Sequence, residues 1–443
     1  MAAREEVSEW QKLPAPLQHQ FYDHAVREAE RRIESLRRLE GKLRTLKEDL
    51  KFNEVDGSDW KRLRVGVVDG SCPPAPDTRL GGSYALFCSS YKIFEGDRLV
   101  DEGYRSGMLF IVNTASGVSS RAILKLLMTR LERKSALEAF EKGVDWLIVD
   151  GSFFGFRYRC LRVKDVEATW YEGAERGDVE EYTATGREII EEIFKDTEKI
   201  LKKNSVAVVK RPRTAAIDGY LIEKRWKEIS EAVERGVKKK LRPRNVVEDI
   251  LKSITTSLID KAVLSIIMCK NTYFMYDSLF KHPGDFYFYS MMARMCQKWI
   301  ERRMSEDKPL DYNALFADSV KMVEKHRERA ENIPKSIFNK YYSILIDEVR
   351  RGYFKAYDEA PACCFEIRRN SSLDEILPYL VGFSNPDTGH PFPLDLVDED
   401  VRLPIKFVRE FVQEVEAQAL KRADVDLVRD LFQYLNPQKK WGY

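Results

Sequence analysis

The sequence predicts a mixed α/β fold: a mixed β-sheet flanked by helices, with an inserted helical subdomain and a long N-terminal helix. Three observations carry this reading. Short β-branched runs end at glycine, as buried strands do, at Val67-Val68-Asp69-Gly70 and Ile148-Val149-Asp150-Gly151. Between them, Leu124, Leu127 and Leu131 form a helical stripe. Strand and helix patterns then alternate as far as Val209, where a helix-rich stretch takes over.

Taken in order, residues 17–50 read as one charged helix. Leu36, Leu43 and Leu50 recur every seven residues, with Leu39 and Leu46 between them, an a/d seam that Gly41 weakens. The seam serves either a helix packed on its own domain or a helical hairpin or intermolecular contact. Strands are expected at 63–69, 84–89 and 108–113, with turns near Gly96 and Gly103. A helix follows over 119–140, then a strand over 146–150, a helix over 188–203 and a strand over 206–209. Residues 220–335 read as the helical insert. It carries a basic stretch (Arg235, Lys238, Lys239, Lys240, Arg242, Arg244) and an aromatic cluster from Tyr273 to Tyr289. Strands return at 353–357 and 364–367. A proline-rich turn around Pro386, Pro391 and Pro393 precedes closing helices at 404–421 and 425–435. The division is therefore 1–58 for the N-terminal helical region and its dimer or partner contacts, 59–219 for the first part of the core, 220–335 for the insert, and 336–443 for the rest.

Composition narrows the chemistry. The 443 residues hold 74 Lys and Arg against 72 Asp and Glu, a net charge of +2 that does not advertise nucleic-acid binding. Only 5 residues are histidine, so a metal here would take oxygen ligands, which favours Mg²⁺ or Mn²⁺ over zinc. The 7 cysteines form no CxxC and no zinc-finger spacing, and read as small buried apolar groups in a reducing compartment. No signal peptide is evident, and the apolar run 262–269 is too short to span a bilayer, so a soluble, cytoplasmic protein without membrane contact is expected. No GxxxxGK[ST], G-x-S-x-G or HExxH occurs, which leaves no basis for an intrinsic ATPase.

The paired strand ends carry the chemical signal. Each delivers an aspartate, Asp69 or Asp150, from a rigid strand, followed by a glycine that permits a turn or a close approach. Side by side, the two carboxylates would repel unless they shared a divalent cation. The commoner use of Asp-Gly is a plain turn.

With these residues in place, the sequence resembles the NurA nuclease family. The resemblance rests on Val-Val-Asp69-Gly-Ser, Ile-Val-Asp150-Gly-Ser, Val-Val-Lys210-Arg-Pro-Arg-Thr and Pro391-Phe-Pro393-Leu-Asp-Leu-Val-Asp398, in that order, and covers most of the chain. It implies an RNase H-like sheet and a Mn²⁺- or Mg²⁺-dependent deoxyribonuclease, with 5′-to-3′ exonuclease and single-strand endonuclease action. It also implies two metal ions, DNA as substrate, a homodimer and a hexameric HerA-type ATPase as partner in DNA end resection and double-strand break repair. Asp69 and Asp150 fall on the metal-binding carboxylates. Glu132 best matches the glutamate on the preceding helix, with Glu138 in reserve. Many members have histidine after the Pro-x-Pro-Leu motif; here Asp398 takes that place, and His390 upstream is the other candidate. Lys210, Arg211 and Arg213 are candidate phosphate contacts. The 235–244 basic run is a further candidate grip on DNA, though an exposed helix end reads the same way. The aromatic cluster reads as the core of the insert or, less simply, as a base-stacking surface. A non-catalytic adaptor that docks on a translocase and guides DNA is the alternative.

Overall fold

The structure, a computed structural model, describes residues 9–57, 60–112, 120–160, 163, 165–173, 177–238, 243–328, 344 and 348–436. The long helix α1 (Ala15–Asp49) runs unbroken through Gly41 and leads to β1 (Asn53–Glu54). β2 (Arg64–Ser71) is the strand that carries Asp69; β3 (Asp77–Thr78) is short. β4 (Gly82–Glu95) and β5 (Arg98–Val112) make a long hairpin, much longer than the two strands expected. The turn anticipated at Gly103 does not exist. Gly103 sits mid-strand opposite Tyr91, whose ring occupies the space a Cβ would need.

α2 (Ser120–Glu141) returns across the sheet to β6 (Trp146–Asp150). After α3 (Arg157–Cys160), the hairpin β7 (Glu167–Gly173) and β8 (Val179–Thr185) extends one edge. That hairpin escaped the sequence reading. α4 (Gly186–Leu201) starts on a capping box, with Thr185 and Glu188 satisfying each other's backbone N–H, and β9 (Ser205–Val209) follows. Next come α5 (Ala216–Lys224), α6 (Trp226–Lys238), α7 (Pro243–Ile254) and α8 (Asp260–Ile267). The stretch 220–335 is not purely helical: β10 (Thr272–Met275) joins the sheet before α9 (Asp285–Ser305) and α10 (Tyr312–Glu328). β11 (Val349–Lys355) and β12 (Cys363–Arg368) complete the sheet. Four helices follow among the described residues: α11 (Leu373–Gly382), α12 (Phe392–Asp400), α13 (Ile405–Leu420) and α14 (Val425–Leu431). Of the proline-rich segment expected as a turn, Pro386 lies in one, whereas Pro391 and Pro393 open α12, because proline in the first helical turn gives up only an N–H that has no partner there.

The strand order is β1-β10-β11-β12-β9-β6-β2-β4-β5-β7-β8, with β3 beside β4. Its centre is the RNase H-like part. β4 and β5 run antiparallel on one side of β2, and β6 and β9 run parallel on the other. Period-two alternation sends Val68, Leu147, Val149 and Ala207 to the α2–α4 face, and Val65, Val67, Ile148 and Val208 to the α11–α12 face. A third core, between α1 and the helices from α5 to α10, takes in Phe274, Tyr276, Phe280, Phe286 and Tyr289. The aromatic cluster is therefore largely packing rather than a platform for bases.

The Leu36–Leu50 seam divides. Leu43, Leu46 and Leu50 are buried against the molecule's own helices, which removes them from any intermolecular contact, whereas Leu36 is 58% exposed. No disulfide forms; Cys160, Cys296, Cys363 and Cys364 are buried. Among the described residues, no helix is long and apolar enough to cross a membrane.

Candidate metal centre

Parallel pairing of β2, β6 and β9 brings three strand ends into one row. Val68 is in register with Val149, and Asp150 with Val208, so Asp69, Asp150 and Lys210 lie side by side where the strands stop. Both aspartates point to the α11–α12 face, where α12 packs Leu394 and Val397 into the core and thereby carries Asp398 over them. The far end of α12 is tied to the β4–β5 hairpin through Asp400, which takes Lys92 Nζ at 2.6 Å and the Tyr104 hydroxyl at 3.1 Å. Near its start, Asp395 accepts from Asn385 Nδ2 at 2.6 Å.

Ligand oxygens of Asp69, Asp150 and Asp398 all lie within 4.8 Å of one another. Lys210 Nζ bridges Asp150 Oδ2 and Asp398 Oδ1, at 3.3 Å each. Burial pushes Asp69 well above the usual carboxylate range, and the charges of Asp150 and Glu132 push it the same way. Burial also raises Asp150, against the opposing pull of Lys210 and a hydrogen bond with Asp69. Burial alone would pull Lys210 down, but the carboxylates of Asp150, Asp69 and Asp398 hold its ammonium above the ordinary lysine range. Asp150 Oδ1 is buried with no hydrogen-bond partner. Crowded carboxylates and an orphaned oxygen are what a hard divalent cation would relieve, so the residues fit Mg²⁺ or Mn²⁺.

Glu132 approaches from the opposite face. Gly70 lies within β2 rather than in a turn, and a Cβ there would stand 3.2 Å from Glu132 Cβ and 3.3 Å from Glu132 Oε2. The missing side chain thus leaves room for Glu132 beside Asp69, although Glu132 is outside the three-carboxylate group. Gly151 does serve a turn, at φ +80°. The two Asp-Gly pairs therefore use glycine differently. Glu138 is engaged elsewhere, accepting from Arg105 Nη2 at 2.7 Å. His390 also lies outside the carboxylate group. Burial, then Lys261 and Lys210, lower it to about 4, so its imidazole is neutral at physiological pH.

Beyond Lys210, Arg211 and Arg213 are exposed. The sequence did not point to two groups that shape this loop. Lys261 Nζ donates to the Lys210 carbonyl at 2.8 Å, and Arg294 donates to that of Arg213. Both come from the helical segment, far along the chain, with no local motif to mark them. Of the 235–244 basic run, Arg235 and Arg244 are exposed; Lys239, Lys240, Arg242 and the Lys238 side chain lie outside the described residues.

The model of the NurA domain matches residues 63–403. The chain belongs to the NurA family. Its match spans β2 to the end of α12 and so includes every carboxylate described above. The crystal structure of the NurA nuclease from Sulfolobus solfataricus is similar over 91% of this chain and 98% of that one, with 14% identity and a TM-score of 0.50, which shows a shared fold. A crystal structure of NurA bound to dAMP and manganese is similar over 94% of this chain and 99% of that one, with 12% identity and a TM-score of 0.46. No curated protein matches the sequence.

Proposed function

We propose that this NurA-family chain is a metal-dependent deoxyribonuclease that hydrolyses phosphodiester bonds at the Asp69–Asp150–Asp398 cluster. The observation that carries the proposal is the convergence of two carboxylates from neighbouring parallel strands with a third from α12, with an ammonium group beside them. Asp69, Asp150 and Asp398 would hold Mn²⁺ or Mg²⁺, with Glu132 completing a pair of sites from beneath Gly70. Bound ions at such a site neutralise phosphate charge and make water a competent nucleophile near neutral pH. The chain's own part is positional and electrostatic. The strands fix Asp69 and Asp150 in depth and separation, and the more exposed Asp398 admits substrate from the open side. Lys210 would exchange its carboxylate contacts for a phosphate oxygen as DNA arrives, and Arg211 and Arg213 would extend the positive track along the backbone.

Family membership supports the finer reading: 5′-to-3′ exonuclease and single-strand endonuclease action, with a HerA-type ATPase supplying movement in DNA end resection. It supports a homodimer as well. The large apolar residues that α1 leaves for an intermolecular contact are its exposed Leu17, Phe21, Tyr22, Val26, Ile33 and Leu36.

The deciding experiment digests labelled single- and double-stranded DNA and RNA in Mn²⁺, Mg²⁺ or EDTA. We expect metal-dependent cleavage of DNA that Asp69→Ala and Asp150→Ala abolish while the far-ultraviolet circular dichroism stays unchanged. Full activity in both variants would overturn the site. No cleavage under any condition, with or without a translocase, would leave the adaptor.

A further inference from the structure

Beneath the same strand ends, on the α2 side of the sheet, four charged side chains are almost entirely enclosed. Glu132 is 5% exposed, Arg133 2%, Arg351 6% and Glu366 1%. They form two ion pairs. Arg133 Nη1 meets Glu132 Oε1 at 2.5 Å, and Arg351 Nη2 meets Glu366 Oε1. Both pairs close on one short piece of backbone. Glu366 accepts from the Ser152 hydroxyl at 3.0 and 2.9 Å and from the Phe153 N–H at 3.0 Å. Arg133 Nη2 donates to the Phe153 carbonyl at 3.3 Å. On its far side the Arg351 guanidinium lies over the Phe286 ring, 4.6 Å from its centroid, in the first turn of α9.

This segment follows Asp150 directly. Gly151 turns the chain at φ +80°, with its N–H donating to Val208 at 2.7 Å, and Ser152 and Phe153 are then held at three polar atoms. Stability is a poor reason to bury two ion pairs here. Desolvation costs several kcal/mol per ion, and apolar residues of similar volume commonly leave a fold as stable or more so. What the pairs do confer is a single course for the backbone from Asp150 to Phe153.

We propose that the Arg351–Glu366 pair is a positioning device that fixes Asp150 for cation binding. It acts through Ser152 and Phe153, and Arg133 holds the same segment from the other side. The inference rests on the reading of Asp69, Asp150 and Asp398 as a metal site. Partners outside a metal's own ligands typically change affinity by roughly tenfold to a hundredfold when removed.

The test measures Mn²⁺ binding to the full chain by the electron paramagnetic resonance signal of free Mn²⁺, together with thermal unfolding in EDTA. The Arg351→Met/Glu366→Leu double variant should stay folded yet bind Mn²⁺ at least about tenfold more weakly. Ser152→Ala should weaken binding less, and Glu366→Gln, which keeps an acceptor, should stay nearest wild type. A folded double variant with wild-type affinity overturns the proposal. If that variant does not fold, Ser152→Ala decides, because wild-type affinity there also overturns it. Failure of the wild type itself to bind Mn²⁺ would instead overturn the metal site on which the proposal rests.

Discussion

Asp69 shows at single-residue scale what the site demands of the fold. A carboxylate that burial and the neighbouring Asp150 and Glu132 push upward binds a proton more readily in the folded chain than in the unfolded one. Between the ordinary carboxylate value of about 4 and its raised value, folding therefore takes up a proton, and stability falls as pH rises through that window. In EDTA, the wild type should gain melting temperature as pH drops from neutral toward about 4. Asp69→Asn should melt higher than wild type at neutral pH and lose most of that slope; identical melting curves would mean the carboxylate is not under this stress. Cation binding should release protons, because ligation needs both aspartates ionised. Asp398 behaves differently. Its side chain is 62% exposed, so Asp398→Ala should leave the melting temperature nearly unchanged while raising the Mn²⁺ needed for half-maximal cleavage. An unshifted Mn²⁺ titration would remove it from the ligand set.

At the scale of elements, the two Asp-Gly ends separate clearly. Gly70 continues β2 and makes space for α2, whereas Gly151 ends β6 in a left-handed turn. Gly151→Ala should cost about 1–2 kcal/mol in unfolding free energy, the penalty for a side chain in that conformation. Gly70→Ala should act on chemistry more than on stability, because its Cβ would press on Glu132 at 3.2 Å. Comparing denaturant midpoints with cleavage rates for the two variants tests this contrast. The prediction fails if Gly70→Ala cleaves at the wild-type rate. α12 makes the same point from the other side. Proline at its start, Asp395 held by Asn385 and Asp400 held by Lys92 fix a short helix tightly enough to aim Asp398.

For the molecule as a whole, α1 is the element whose role changes most between sequence and structure. Its last turns belong to the body: Leu46 is 2% exposed, Lys42 donates to the Thr255 carbonyl at 2.9 Å, and Asp49 pairs with Lys224 at 2.8 Å. Leu46→Ala should destabilise the chain by about 2–5 kcal/mol, as emptying a core leucine site does. Nearer its middle, Ile33 and Leu36 stay in the open. Glutamate at both positions should leave stability unaltered but convert a dimer to a monomer in light scattering. A monomeric wild type at micromolar concentration would remove the dimer altogether. The near-neutral charge balance is also reinterpreted at this scale. Acids gather at the strand ends and exposed arginines flank them at 211 and 213, so charge is segregated locally while the total nearly cancels.

Local pattern was enough to place Asp69 and Asp150 on buried β-branched strands, but only β6 stops at its Asp-Gly pair, whereas β2 runs on through Gly70 to Ser71. It was enough, too, for α1, α2, α4 and β9, whose periodicity or capping is written in neighbouring residues. The family resemblance added Glu132, Asp398 and Lys210 as candidates. Tertiary structure alone decided that β2, β6 and β9 lie adjacent and parallel, which puts Asp69, Asp150 and Lys210 in one row. It alone decided that Asp398 rides on a helix over them, that Glu132 lies against Gly70 from the opposite face, and that Arg351 and Glu366 lie beneath the turn after Asp150. Those relations join residues scores or hundreds of positions apart. No local period encodes such distances; they follow from which apolar faces are buried together.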